Sequence, residues 1–168
     1  MTAIETKTLK VGRYVDTAHV DTVIREYKKE RWIYNTERLG KEDSMSVWYS
    51  VEELEEFLQR IKDHGGDGIR LYFAAYPQNY ETKPEYAGRQ TIVFVGTKNK
   101  EIEGGSVIKD MYINGDNGVN VLAYNSGGIC PPGYCPGTKR PGSGDPDPDW
   151  GGLGVTIIDS GAKGLRIA

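Results

Sequence analysis

The sequence has little cysteine and histidine, and it has no long hydrophobic run. Its 168 residues include two cysteines and two histidines, so a dense disulfide scaffold is excluded and a zinc site would have to use almost all of these side chains. No stretch approaches the roughly 18 apolar residues of a membrane span, and the first residues lack the apolar core of a signal peptide. The expected default compartment is therefore the cytoplasm, with export that needs no such signal left open, and no membrane partner is expected.

A strong charge of one sign is also lacking. The net charge is −3, and the basic run formed by Lys28, Lys29 and Arg31 is interleaved with Glu26 and Glu30, as on a solvated helix face. A nucleic-acid partner is therefore not expected, because such proteins carry a basic stripe or patch. The composition, 38% hydrophobic and 27% charged, is typical of a globular chain of one-domain size.

Two helices are predicted in the N-terminal half. The first begins at a cap supplied by Asp16 or Thr17 and ends near Tyr34, where a polar connection follows. The second begins at Ser50, whose hydroxyl and the Glu53 carboxylate are spaced as a capping box. Apolar residues recur behind this cap at helical spacing, so the second helix has the clearer signal.

Strands are predicted over residues 68–76 and 91–95. The first alternates its side chains between two faces, and the second is apolar on both faces, which indicates a central strand. An antiparallel hairpin is the simplest arrangement, and the connecting loop 78–89 is long enough to carry a function. The expected fold class is α+β: two N-terminal helices packed on a mainly antiparallel sheet, with a Gly/Pro-rich, loop-dominated C-terminal region.

The C-terminal region differs in composition from the rest. Residues 126–154 contain nine glycines and six prolines, which excludes long regular elements. We therefore divide the chain into an α+β core, residues 1–125, and an extension, residues 126–168, that ends in a short strand. Contacts with the core or with a neighbouring subunit are expected to hold the extension, because such a composition has no shape of its own.

The cysteines and three aspartates are the candidate metal ligands and redox groups. Cys130 and Cys135 are interpreted as free thiols, a local disulfide or half of a zinc site, and a cytosolic setting favours thiols. The alternate carboxylates of Asp145, Asp147 and Asp149 resemble the start of a calcium loop, but Trp150 stands where such a loop needs glycine. No cofactor is expected, with calcium or zinc as alternatives.

Tyrosine is the abundant residue type, with 11 copies. Exposed tyrosine and tryptophan side chains suit a contact surface, whereas buried ones suit ordinary sheet packing. The candidate interface residues are Tyr80, Tyr86, Tyr134 and Trp150. No nucleophile elbow, Walker loop or dinucleotide fingerprint is present. If the chain binds a ligand or catalyses a reaction, the candidate site lies under the 78–89 loop, and its polar groups are Asp67, Arg70, Tyr72, Tyr76 and Arg89.

Four segments together resemble a group of small bacterial proteins that have no assigned activity. They are the Trp48-Tyr49 segment with the helix after it, the strand from Asp67 to Tyr76, the Thr91-Ile-Val-Phe-Val-Gly-Thr-Lys segment, and the Cys130-Pro-Pro loop. The resemblance implies one recurring structural unit and no particular chemistry. The sequence thus favours a non-enzymatic interaction or self-assembly module that uses an ordered C-terminal extension and a tyrosine-rich surface. Its partner is expected to be a second copy of the chain, in a homo-oligomer or filament, or another protein. A small enzyme or ligand-binding protein and a calcium- or zinc-stabilised binding module are the alternatives.

Overall fold

The chain adopts the expected α+β architecture. The computed structural model describes residues 9–135, together with the backbone of residues 157–159 and 165–167. All strand pairs in these residues are antiparallel. No helix in the described part of the chain is both long enough and apolar enough to cross a bilayer.

One continuous helix occupies the N-terminal part of the described chain. It consists of α1 (Thr17–Tyr27), a π-helical stretch (Lys28–Trp32) and α2 (Ile33–Leu39). The Asp16 carboxylate accepts a hydrogen bond from a first-turn backbone N–H at 2.8 Å, which confirms it as the N-cap. The helix ends at Gly40, which adopts the left-handed conformation with φ of 69°.

The predicted end of this helix near Tyr34 is wrong, because the polar residues that follow remain helical up to Leu39. Polar contacts attach the middle of this helix to residues further along the chain. The Trp32 indole donates to the Asp43 carbonyl at 2.7 Å, and the Tyr27 hydroxyl donates to the Gln90 side chain at 2.7 Å. None of the residues of α1 is buried.

The second predicted helix is α3 (Val51–Asp63), and its capping box is confirmed. The Ser50 hydroxyl accepts from the Glu53 N–H at 3.1 Å, and the Glu53 carboxylate accepts from the Ser50 N–H at 2.9 Å. The helix buries Phe57 and Ile61 against the sheet. A side-chain carbon at Gly96 would lie 2.9 Å from Ile61, so glycine on the central strand permits this close approach.

The main sheet has the strand order β2 (Gly68–Ala75), β3 (Gln90–Ile102) and β4 (Gly105–Asp110). A fourth strand, β7 (Ala123–Tyr124), pairs with β3 on the side away from β2. The β2–β3 hairpin is the one expected from the sequence, and β3 is central, as its two apolar faces predict. Beyond its pairing with β2, β3 continues with β4 into a projecting hairpin arm.

The other described strands form two-stranded pairs, in which β1 pairs with β8, β5 with β6, and β9 with β10. Their bounds are β1 Ser46–Trp48, β5 Tyr112–Gly115, β6 Gly118–Val121, β8 Gly128–Cys130, β9 Ile157–Asp159 and β10 Leu165–Ile167.

Two apolar clusters hold these elements together. The first lies between α3 and the sheet and contains Phe57, Ile61, Met111 and Leu122. The second contains Tyr76, Tyr86 and Ile129. Because Ile129 is fully buried and belongs to β8, the first residues of the predicted extension lie against the core. Residues 136–156, 160–164 and 168, which are more than half of the predicted extension, lie outside the described residues.

Candidate functional site

Aromatic rings and a buried arginine pack within and beside the 78–89 loop. The Tyr76 ring stacks on Tyr80 with centroids 4.5 Å apart and contacts Tyr86 at 5.6 Å. Arg89 is buried and donates to two backbone carbonyls, at Glu85 with a length of 2.9 Å and at Glu42. Tyr76 and Arg89, predicted as ligand-binding groups, therefore have contacts that support the loop itself.

The other three predicted ligand-binding residues lie elsewhere on the sheet. The Asp67 carboxylate accepts from the Asn99 N–H at 3.0 Å, at the base of the β3–β4 arm. Arg70 and Tyr72 both donate to the Asp110 carboxylate. The hydrogen bond with Tyr72 and the charge of Asp110 raise the pKa of Arg70, so its guanidinium stays charged. The five residues thus occupy three separate places and do not converge on one cleft.

The predicted interface residues also separate. Tyr86 is buried in the single chain, with 4% of its surface exposed. Burial raises the pKa of its phenol. Tyr80 is half-buried against Tyr76, and Tyr134 stacks on Trp48 at 5.7 Å. Trp150 lies outside the described residues.

Cys130 and Cys135 form a disulfide, so the free thiols favoured by a cytosolic setting are not what the structure has. The bridge closes the loop that carries Tyr134. The ring on which Tyr134 stacks belongs to Trp48, which lies on β1. In the described residues, no cluster of three His, Cys, Asp or Glu side chains is arranged to hold a metal ion. The predicted calcium ligands Asp145, Asp147 and Asp149 lie outside these residues.

A groove of about 480 Å³ runs between α3 and the β5–β7 region. Glu53 lies on its wall and accepts a hydrogen bond from the Tyr124 hydroxyl at 3.0 Å. The hydrogen bonds from Ser50, and then that from Tyr124, lower the pKa of Glu53, whereas the same contact raises the pKa of Tyr124. Because the Glu53 carboxylate also completes the capping box, its oxygens stabilise the helix terminus and are poorly placed to exchange protons with a substrate.

One edge of β2, called the free edge below, is left unpaired within the described part of the chain. Its eight residues pair with β3 in an unbroken register from Gly68 opposite Thr97 to Ala75 opposite Gln90. On its other side, β2 has no strand neighbour in the described part of the chain. It is thus a long edge strand without a bulge.

The direction of the backbone groups on β2 follows from one hydrogen bond. The Tyr76 N–H donates to the Arg89 carbonyl at 2.9 Å, toward the β3 side. Backbone groups of an antiparallel strand alternate between its two neighbours, so Tyr72 and Ala74 also face β3. The N–H and C=O groups of Ile69, Leu71 and Phe73 therefore point to the free edge.

The side chains along this edge are largely apolar and exposed. Leu71 is 49% exposed, Tyr72 42% and Phe73 84%. Ile69 packs against the cluster under α3, whereas on the same face of the strand Leu71 is half-exposed and Phe73 is largely exposed. The sequence predicted the strand and its alternation, but an alternating pattern does not reveal which strand is left without a neighbour.

Comparison with protein-family models, with curated proteins and with solved structures found no significant match.

Proposed function

We propose that this protein is a non-enzymatic interaction module that binds an extended polypeptide segment along the free edge of β2. The observation that carries the proposal is this edge, with its outward backbone groups and its exposed Leu71 and Phe73. In β-strand addition, main-chain hydrogen bonds supply affinity, and alternate side chains supply specificity.

The edge lacks the features that usually prevent such pairing. Sheet edges are commonly blocked by lysine, by proline, by a bulge or by a very short strand. The eight-residue strand Gly68–Ala75 contains neither lysine nor proline, and its register with β3 is continuous. Its one charged residue, Arg70, is paired with Asp110. An arriving strand therefore meets no uncompensated charge on β2.

Both ends of the edge have a defined conformation. The Pro77 carbonyl accepts hydrogen bonds from Tyr80 and Gly88, which closes the loop that follows β2. At the other end, the Asp67 N–H donates to the Thr97 carbonyl at 3.0 Å. A strand held at both ends presents its edge in one conformation, which lowers the entropy cost of binding.

Site-specific photo-crosslinking in the cells that produce the protein tests this proposal. The photoreactive residue p-benzoylphenylalanine replaces Phe73, whose aromatic shape it preserves. We expect adducts that mass spectrometry maps to one short segment of a polypeptide, either of this chain or of another protein. The matched control carries the same residue at Ile102, which is also exposed but lies at the tip of the β3–β4 arm. Position 73 giving no adducts beyond those of position 102 would contradict the proposal.

A further inference from the structure

We infer that the segment bound at this edge is β2 of a second copy, joined antiparallel about a two-fold axis through Leu71. The inference rests on the function proposed above and specifies its partner. The resulting dimer has one continuous sheet, in which the order β4–β3–β2 is followed by β2–β3–β4 of the second copy.

Symmetry limits how two copies of this edge can pair. A two-fold axis between antiparallel strands is perpendicular to the sheet, so it keeps α3 of both copies on the same side. Directly opposed residues then come from the same face of the strand, and the outward-pointing groups at Ile69, Leu71 and Phe73 meet their equivalents. The edge is thus able to pair with itself without turning any side chain to the wrong face.

The Leu71-centred register matches the chemistry of each opposed pair. Leu71 faces Leu71 of the second copy, and Ile69 faces Phe73. This arrangement covers the Phe73 ring, which is 84% exposed in the single chain. Apolar and aromatic cross-strand pairs of this kind each contribute favourably to sheet pairing.

The opposite face places Arg70 of one copy against Tyr72 of the other. Within one chain, the Arg70 guanidinium already lies 6.0 Å from the Tyr72 ring centroid, and Asp110 binds both side chains. The opposed pair therefore combines a cation and an aromatic ring, and Asp110 offsets the positive charge of each arginine. In this register neither arginine is directly opposite the other, and each has Asp110 of its own chain as a partner.

Analytical ultracentrifugation of the full-length chain across a dilution series measures the predicted association. We expect a reversible monomer–dimer equilibrium. The Leu71→Lys variant should weaken it by at least about tenfold, because two lysines then face each other across the axis and two apolar contacts are lost. Ile102→Lys is the matched control, since Ile102 is 54% exposed on a strand of the same sheet, and it should leave the equilibrium unchanged.

Disulfide trapping identifies the register. In a Leu71-centred pair, the two Cα atoms at position 71 lie about 5.5 Å apart, within the range of a disulfide. Under mild oxidation, Leu71→Cys should form a covalent dimer, and peptide mapping should find the bond between the two introduced cysteines. Tyr72→Cys should not, because its diagonal separation is about 7–8 Å. A crosslink from position 72 but not from 71 would overturn this register.

The two proposals fail in different ways. A chain that remains monomeric at every concentration, or that dimerises equally well as Leu71→Lys, overturns the inference of self-pairing. If the photo-crosslinks at Phe73 then map to a strand of a different protein, the interaction function stands without it. If position 73 crosslinks nothing above the Ile102 control, the interaction function itself is overturned.

Discussion

Replacing Ile129 with alanine tests whether residues 126–135 belong to the cooperative core. Ile129 is fully buried, and it packs against Tyr76 and Tyr86. The substitution removes three side-chain carbons, which at about 0.8 kcal/mol each corresponds to roughly 2.4 kcal/mol of transfer free energy. A cavity between two aromatic rings adds to this cost, so we expect a loss of about 2–5 kcal/mol in the free energy of unfolding.

Urea denaturation followed by tyrosine and tryptophan fluorescence measures this loss through the shift of the unfolding midpoint. The melting temperature should fall by roughly 4–20 °C, at about 2–4 °C per kcal/mol for a chain of this size. Ile102→Ala, on the exposed arm, should change stability by less than about 0.5 kcal/mol. If Ile129→Ala is as mild as this control, the segment is not part of the core, and our account of the second cluster is refuted.

Three further predictions concern the cap of α3 and the disulfide. Ser50→Ala should lower the free energy of unfolding by about 0.5–2 kcal/mol in urea titrations, whereas alanine at the exposed Ser106 should not. Because the pKa of Glu53 is lowered from 4.5 in the folded state, its stabilising contribution is complete above that value and is lost as the pH falls through the lower folded value. The stability difference between the native chain and Glu53→Gln should therefore shrink as the pH falls below 4.5, and a constant difference in acid titrations would contradict this reasoning. Reducing the bridge between Cys130 and Cys135 should cost roughly 2 kcal/mol, estimated from its short loop, while a double serine variant should be insensitive to the reductant in the same urea assay.

Sequence patterns predicted the elements whose signals are local. The capping box at Ser50 requires only residues within one turn, and the Gly68–Ala75 strand follows from its own alternation. The end of the first helix was predicted too early, because the residues after Tyr34 are mostly polar and do not continue the helical spacing of apolar residues. Gly40 was the available stop signal, since helices commonly end at a left-handed glycine.

Features that depend on distant contacts were not accessible in this way. Tyr86 is buried because Ile129 packs beside it, and the two residues are far apart in the sequence. The bridge between Cys130 and Cys135 depends on loop geometry and redox conditions, and its short spacing also allowed free thiols. Asp110 received no role from the sequence, yet it connects Arg70 and Tyr72.

The edge of β2 shows why a correct local prediction of a strand does not by itself identify the binding surface that we propose. The alternation of Ile69, Leu71 and Phe73 predicts one apolar face, and in most sheets such a face is covered. Here the cluster under α3 reaches Ile69, whereas Leu71 and Phe73 extend beyond it into solvent. The alternation thus predicts burial of side chains that the single chain leaves exposed. Such disagreements between the sequence pattern and the fold are expected at functional sites. The pairing with a second β2 strand that we propose would supply backbone partners for this edge, which has no strand neighbour in the described residues, and an apolar cover for Leu71 and Phe73.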